Sequence, residues 1–319
     1  MNKPEIEEIK NLATGSSFPG ITMHRMYFQG RRSYVMMNPF RMYSGLTGAL
    51  GAVTFKGDPD AKRIDKWRDS MINQLGSIEK QEAYLNTMAD FGTLVHETLV
   101  NIRNDGALDW GQMNDYAEHY FEASARKNGI QPNPNVISRQ VFDFNKAAAS
   151  MLQYVYENVH EILAIEVMVK SESLQIATPV DLVYRTKNMD IHIVNVKTSG
   201  QISDHQIEQA SMELLMWNET YPELKAKKTG IVRSKDWNLK KGVPTYEDKM
   251  ITVEEANEII KGTLPRLQIG KDLYANFPTS VGVFVGTTKL GESPKIENVS
   301  MEKIFTDGLC SVTETESEK

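Results

Sequence analysis

The chain has 319 residues, of which 40 % are hydrophobic and 24 % charged, and 42 acidic side chains against 36 basic ones leave a net charge of −6. This length and apolar content suit one large or two modest globular domains with a sizeable core, and the acidic balance excludes a generally basic nucleic-acid coat but not a local basic groove. A single cysteine, Cys310, excludes an intramolecular disulfide framework and a multi-cysteine zinc site, and with no apolar leader or membrane-length apolar run the expected location is the cytoplasm.

Residues 1–60 read as a polar lead-in followed by strands. Ile21 to Phe28 and Ser33 to Met37 alternate around the turn Gln29-Gly30-Arg31-Arg32, a hairpin pattern. Tyr43 to Leu50 reads as a short helix capped by Ser44, and Asp58-Pro59-Asp60 opens a helix running through Trp67 and Met71. From about Ile78 to Asn101, Leu85, Met88, Phe91, Val95 and Leu99 recur at three- and four-residue spacing, giving a helix with His96 beside its apolar face and Gly92 one turn earlier. Two more helices, Trp110 to Asn128 and Ser138 to Val159, flank the break Gln131-Pro132-Asn133-Pro134. The second carries the stripe Phe142, Phe144, Ala148, Met151, Leu152 and Val155.

The chain is organised around the next stretch. Thr178-Pro179-Val180-Asp181-Leu182-Val183-Tyr184 passes through the polar turn Arg185 to Asp190 and returns through Ile191 to Lys197. On the returning strand Ile191, Ile193, Asn195 and Lys197 share one face and His192, Val194 and Val196 the other, so an amide and an ammonium extend an apolar stripe. An unpaired charge buried there costs on the order of several kcal/mol, and Asp181 on the neighbouring strand is the natural partner. Asp204 then caps a helix of about Gln206 to Glu219 that Pro222 ends, and Ile231-Val232-Arg233 reads as a further strand. Val253 to Phe277 is helical with Pro265 inside, as two helices or one kinked helix. Val281 to Val285 reads as a strand or extended arm, and the tail SVTETESEK as disordered. Neither a Walker A loop nor a dinucleotide glycine fingerprint is present. The expected fold is α/β: a central mixed sheet of about four or five strands flanked by helices, with N-terminal strands over 1–60, a core with helical cover over 61–240 and an extension over 241–319.

These residues resemble the PD-(D/E)XK nuclease superfamily, in its RecB-type and phage-exonuclease branch. Asp181 is followed after fourteen residues by Asn195-Val196-Lys197, with Thr198-Ser199 next and Gln209 twelve residues past the lysine. Upstream, Gly92-Thr93-Leu94-Val95-His96 matches the branch's Gly-Thr-x-x-His helix, and Glu166 matches an acidic residue on the strand before the aspartate. The resemblance implies a restriction-endonuclease-like core and Mg2+ or Mn2+ held by His96, Glu166, Asp181 and the residue at 195. It implies that Lys197 orients or deprotonates the attacking water and that Gln209 positions a phosphate or the lysine. The implied activity is exonucleolytic hydrolysis at DNA ends in phage or bacterial recombination, repair or replication, with partner proteins of such a complex.

Two positions depart from the pattern: Glu213 stands where a tyrosine is usual, and Asn195 where the family uses a metal-binding carboxylate. Losing that charge beside a divalent ion costs on the order of several kcal/mol. The sequence therefore predicts poor metal binding and a gain of activity in Asn195→Asp. Asn195 marks either an active-site substitution that stops turnover in a nuclease or an inactive DNA-binding or scaffold protein of the same fold, which is the alternative, and a purely structural Asp181–Lys197 ion pair is a third reading. Lys225, Lys227, Lys228, Arg233 and Lys235 are the candidates for a phosphate-tracking groove.

Overall fold

The computed structural model describes residues 5–9, 20–28, 31–51, 59–238, 244–274, 280–285 and 295–306. Four strands, β1 (Glu5–Ile9), β2 (Met23–Phe28), β3 (Arg31–Met37) and β4 (Phe40–Gly45), form an antiparallel run. The helices α1 (Leu46–Gly51), α2 (Pro59–Leu75), α3 (Ile78–Asp105), α4 (Trp110–Lys127) and α5 (Pro134–Asn158) follow. Then come β5 (Glu161–Ser171), β6 (Ile176–Arg185), β7 (Ile191–Lys197), α6 (Asp204–Thr220), β8 (Ala226–Lys235), β9 (Thr245–Thr252) and α7 (Val253–Tyr274). The chain continues through β10 (Ser280–Val285), β11 (Lys295–Ser300) and α8 (Met301–Thr306).

Nine of these strands make one mixed sheet, in the order β1-β2-β3-β4-β6-β7-β8-β9 with β5 on β6. The α/β class with a central mixed sheet between helices is the fold the sequence predicted, but the sheet is larger than the four or five strands expected. The N-terminal strands belong to it, and β9, whose polar TYEDKMIT shows little apolar alternation, pairs antiparallel with β8 along its length. Apolar side chains on both faces explain why the sheet is covered twice. Leu46, Leu50, Ile207, Leu214, Trp217, Ile260 and Leu267 pack α1, α6 and α7 on one side, whereas Phe91, Val95, Phe121, Phe144 and Met151 pack α3, α4 and α5 on the other.

Local chemistry sets several boundaries differently from the sequence pattern. Tyr43 and Ser44 end a strand, and the short helix begins only at Leu46. Ser203, not Asp204, caps α6: its hydroxyl accepts from Gln206 N while the Gln206 side chain accepts from Ser203 N, a complete capping box. Asn133 caps α5 and Pro134 takes its first turn, where a missing N–H is harmless, so the helix starts before Ser138. Phe142, expected in the core stripe, is exposed, with Arg139 and Lys146 over its ring. Pro265 sits inside a single helix. Val281 to Val285 lie in β10, which pairs with β11, and the acidic tail lies outside the described residues.

One topological feature positions the site. β6 takes β5 along one edge, but its other edge is shared: Ile176 and Ala177 pair in parallel with Ser44 and Gly45, whereas Leu182 to Arg185 pair antiparallel with β7. Thr178 to Asp181 lie in the fork where β4 and β7 diverge.

Candidate metal centre

Asp181 stands at the mouth of that fork. The β6–β7 ladder ends at Leu182 opposite Val194, and the Asp181 carboxylate accepts the Val196 N–H at 2.8 Å. A side chain thus replaces a strand as partner for a buried donor. Lys197 Nζ donates to the same Oδ2 at 3.4 Å, and His96 Nε2 lies 3.6 Å from it. Burial pushes the Asp181 carboxyl up, but Lys197, His96 and the Val196 N–H outweigh it and hold the group below the usual range.

His96 is delivered by α3, whose apolar face, anchored by Phe91, Val95 and Leu99, packs against the sheet. Its Nδ1 is 3.0 Å from Glu166 Oε1 and its Nε2 is 2.9 Å from the Val196 carbonyl. Both partners are acceptors, which favours a doubly protonated ring. Burial pushes the imidazole down, but Asp181 and Glu166 reverse this and lift it to about 9. Gly92 serves no tight approach, since a Cβ there would make only an ordinary 3.6 Å contact with Thr198 Oγ1.

Glu166 reaches the site through its backbone. Its φ of 52° is left-handed, which a side chain with a Cβ adopts at a cost of about 1–3 kcal/mol. The twist puts Ile165 with the α3–α5 cluster and Val167 with the α6–α7 cluster, although residues two apart in a strand ordinarily share a face. One ligand atom each from His96, Glu166 and Asp181 then lies within 4.8 Å of the others.

Asn195, two residues before Lys197 on β7, has a buried Oδ1 with no hydrogen-bond partner among the described residues. It is 1 % exposed, and its Nδ2 donates to Glu213 Oε2 on α6, whose other oxygen accepts from Gln209 Nε2 at 2.7 Å. Glu213 is fully buried, and that burial pushes its carboxyl up to about 8, against the pull of the Gln209 and Asn195 amides. Gln209 therefore braces Glu213 while also lining the cavity. Sequence reasoning missed Glu213 as part of the site, although its spacing of four from Gln209 puts both on one face of a helix.

The basic set splits along β8. Arg233 lies opposite Lys197 and Lys228 opposite His192, so the two are separated by about 17 Å of strand. The Arg233 guanidinium donates to Glu247 at 2.6 and 3.0 Å and to the Ser199 carbonyl at 3.1 Å. Lys225, Lys227 and Lys228 sit at the far end, where Lys228 borders a second cavity with Tyr154, Tyr184 and His192. Lys235 is exposed at the near end. The cations that line the cavity with the His96, Glu166 and Asp181 group are Lys197, Arg25 and Arg32. No helix among the described residues is long and apolar enough to cross a membrane.

No family model and no curated protein sequence matches the chain. Among solved structures it overlaps a candidate exonuclease from Eubacterium rectale at 12 % identity, over 55 % of this chain and 72 % of that one, with a TM-score of 0.32. It overlaps the protein SSO0001 at 13 % identity, over 55 % and 84 % of the two chains, with a TM-score of 0.24. Overlaps this shallow carry no functional argument, and the site's own chemistry has to supply one.

Proposed function

We propose that the fork holds a divalent cation and hydrolyses phosphodiesters, acting on DNA ends as the PD-(D/E)XK resemblance implies. The observation that carries this reading is the convergence of His96, Glu166 and Asp181 from three elements on one cavity of about 460 Å3, with Lys197 bonded to Asp181. The donor set fits the ion once His96 releases one ring proton on binding: two hard carboxylate oxygens and one imidazole nitrogen suit Mn2+ or Mg2+, with water completing the shell. His96, Glu166 and Asp181 would hold it, and when bound it supplies Lewis-acid polarisation and a more acidic water.

The remaining residues divide the work. Burial pushes the Lys197 ammonium down, but Asp181 and Glu213 more than reverse this and keep it above its usual value. At neutral pH Lys197 is thus a cation that stabilises charge growing on the phosphoryl oxygens, rather than a base that takes a proton from water. Asp181 fixes the ammonium in place. Gln209, on the α6 wall, braces Glu213 and through it the electrostatics behind Lys197.

A Mn2+ and Mg2+ titration on end-labelled linear and closed circular DNA tests the proposal. Linear single-stranded ends are expected to be degraded, circles spared and chelator to stop the reaction. Lys197→Ala is expected to retain Mn2+ binding by calorimetry while lowering kcat by about 10²–10³. A folded protein that binds Mn2+ and leaves both DNAs intact overturns the hydrolytic reading, and equal cutting of circles and linear strands overturns the preference for ends.

A further inference from the structure

The cavity of the candidate metal group is also lined by two arginines that neither the sequence motif nor the proposed hydrolysis uses. Arg25 on β2 and Arg32 on β3 line the same cavity, with Thr47, Thr93 and Thr178. The β2–β3 register sets Arg25 opposite Tyr34 and Tyr27 opposite Arg32. Residues two apart on one strand and their cross-strand partners share a face, so two arginines and two tyrosines form one alternating quartet. The Arg32 guanidinium lies over the Tyr27 ring at 5.8 Å, and Tyr34 is 1 % exposed. The next register, Ser33 opposite Ser44, brings Arg32 beside Gly45, the last residue of β4 before the fork. A Cβ on Gly45 would sit 3.0 Å from the Arg32 carbonyl, so a side chain there would have to displace the neighbouring backbone by a few tenths of an ångström.

The charges of the cavity say what belongs between its walls. Arg25, Arg32 and Lys197 are matched by Glu97, Glu166 and Asp181. A divalent ion held by a neutral His96, Glu166 and Asp181 leaves a surplus of two positive charges in a cavity that two guanidiniums also line. That arrangement is repulsive unless an anion lies between them. Guanidinium forks match the paired oxygens of a phosphate and, unlike an ammonium, hold them in two directions.

Resting on the hydrolytic reading for its metal, we propose that the β2–β3 hairpin is a phosphate clamp. In it Arg25 and Arg32 hold the non-bridging oxygens of a nucleic-acid backbone phosphate against the metal-bearing wall. Lys225, Lys227 and Lys228, at the far end of β8, take no part in this contact.

The test uses the full chain, a short fluorescein-labelled single-stranded oligonucleotide, Ca2+ to limit turnover, and a KCl series read by fluorescence anisotropy. Arg25→Ala and Arg32→Ala are each expected to raise Kd about tenfold at low salt and to reduce the salt slope by about 0.7. Lys227→Ala/Lys228→Ala is expected to change neither. Arg32→Lys is expected to restore the slope but not the full affinity, since it keeps the charge and loses the fork. Without DNA, both alanine variants are expected to bind Mn2+ as tightly as the natural protein or more tightly, because a like charge has been removed. Alanine variants of unchanged melting temperature that keep the natural slope overturn the clamp, as does a Lys227→Ala/Lys228→Ala protein that loses slope in their place. Should the alanine variants not fold, an Arg32→Lys protein binding with full natural affinity overturns it. Oligonucleotide binding that depends on Arg25 and Arg32 without hydrolysis keeps the clamp and removes the hydrolytic reading, whereas hydrolysis with KM unchanged in the arginine variants does the reverse.

Discussion

Asn195→Asp lowers the stability of the protein, and the loss deepens as pH rises. Asn195 Nδ2 donates to the fully buried Glu213 carboxyl, so an aspartate removes a donor and puts a second acid against the first. In the natural protein burial lifts Glu213 to about 8, above the 4.5 of an unperturbed glutamate. The folded state therefore keeps a proton that the unfolded chain releases. The stability this acid contributes is full below pH 4.5 and drains away as pH rises towards 8, by about 1.4 kcal/mol per unit. With a second carboxyl alongside, one proton is shared at neutral pH and the next ionisation is harder still. The expected deficit is on the order of 3 kcal/mol at pH 9, roughly 4–5 °C in melting temperature for a chain of this length, and smaller at pH 6. Adding Glu213→Gln restores an acid–amide pair with the partners exchanged and is expected to recover most of the loss. Melting curves of the three proteins at the two pH values decide it. An Asn195→Asp protein as stable as the natural one at pH 9 would show that these side chains do not meet. The substitution that the motif recommends as a repair is thus expected to destabilise the core.

What the sequence disclosed and what it hid follow from the range of the interactions involved. The hairpin of β6 and β7 was legible because alternation and a polar turn are local, and Lys197 and Asp181 announced themselves as charges on apolar strands. His96 and Glu166 were legible only through resemblance. Nothing local shows that Glu166 takes a left-handed φ, which re-aims it and transfers Val167 to the other face of the sheet. Asn195 was legible only in part, because period two places it on the stripe with Lys197 but does not say what lies behind that stripe. The answer, Glu213 on α6, depends on how a helix packs across the sheet. Arg31-Arg32 stood out as a basic pair, but Arg25 and the cavity that it shares with Arg32 were hidden for a similar reason: their hairpin was readable, but its pairing to β6 through only Ser44 and Gly45 was not. β9 escaped because its polar sequence gains strand geometry from the full-length ladder with β8 rather than from its own pattern.

Asp181→Ala has the largest expected effect on the site, because one carboxylate serves three neighbours. It accepts the Val196 N–H at 2.8 Å, pairs with Lys197 at 3.4 Å and lies 3.6 Å from His96. Removing it leaves a buried donor without its acceptor, at about 1–3 kcal/mol, and two cations side by side. Breaking a buried ion pair from one side costs about 3–5 kcal/mol. Asp181→Asn keeps an oxygen for the Val196 N–H and is expected to be the milder of the two in stability while losing Mn2+ affinity to the same extent. His96 reports the electrostatic part. In the natural protein it is lifted to about 9 from the unperturbed 6.5, with Asp181 the largest of the influences that raise it. A raised histidine stabilises the fold fully below pH 6.5, and this contribution is lost as pH climbs through 9. Both Asp181 variants should therefore show their greatest deficit near pH 6 and a smaller one above pH 9, with the His96 titration moved to lower pH. Chemical denaturation across this range in chelator, with the imidazole resonances followed by NMR, measures both. A variant that retains Mn2+ binding within a few-fold, or whose His96 still titrates near 9, would remove Asp181 from the centre of the site.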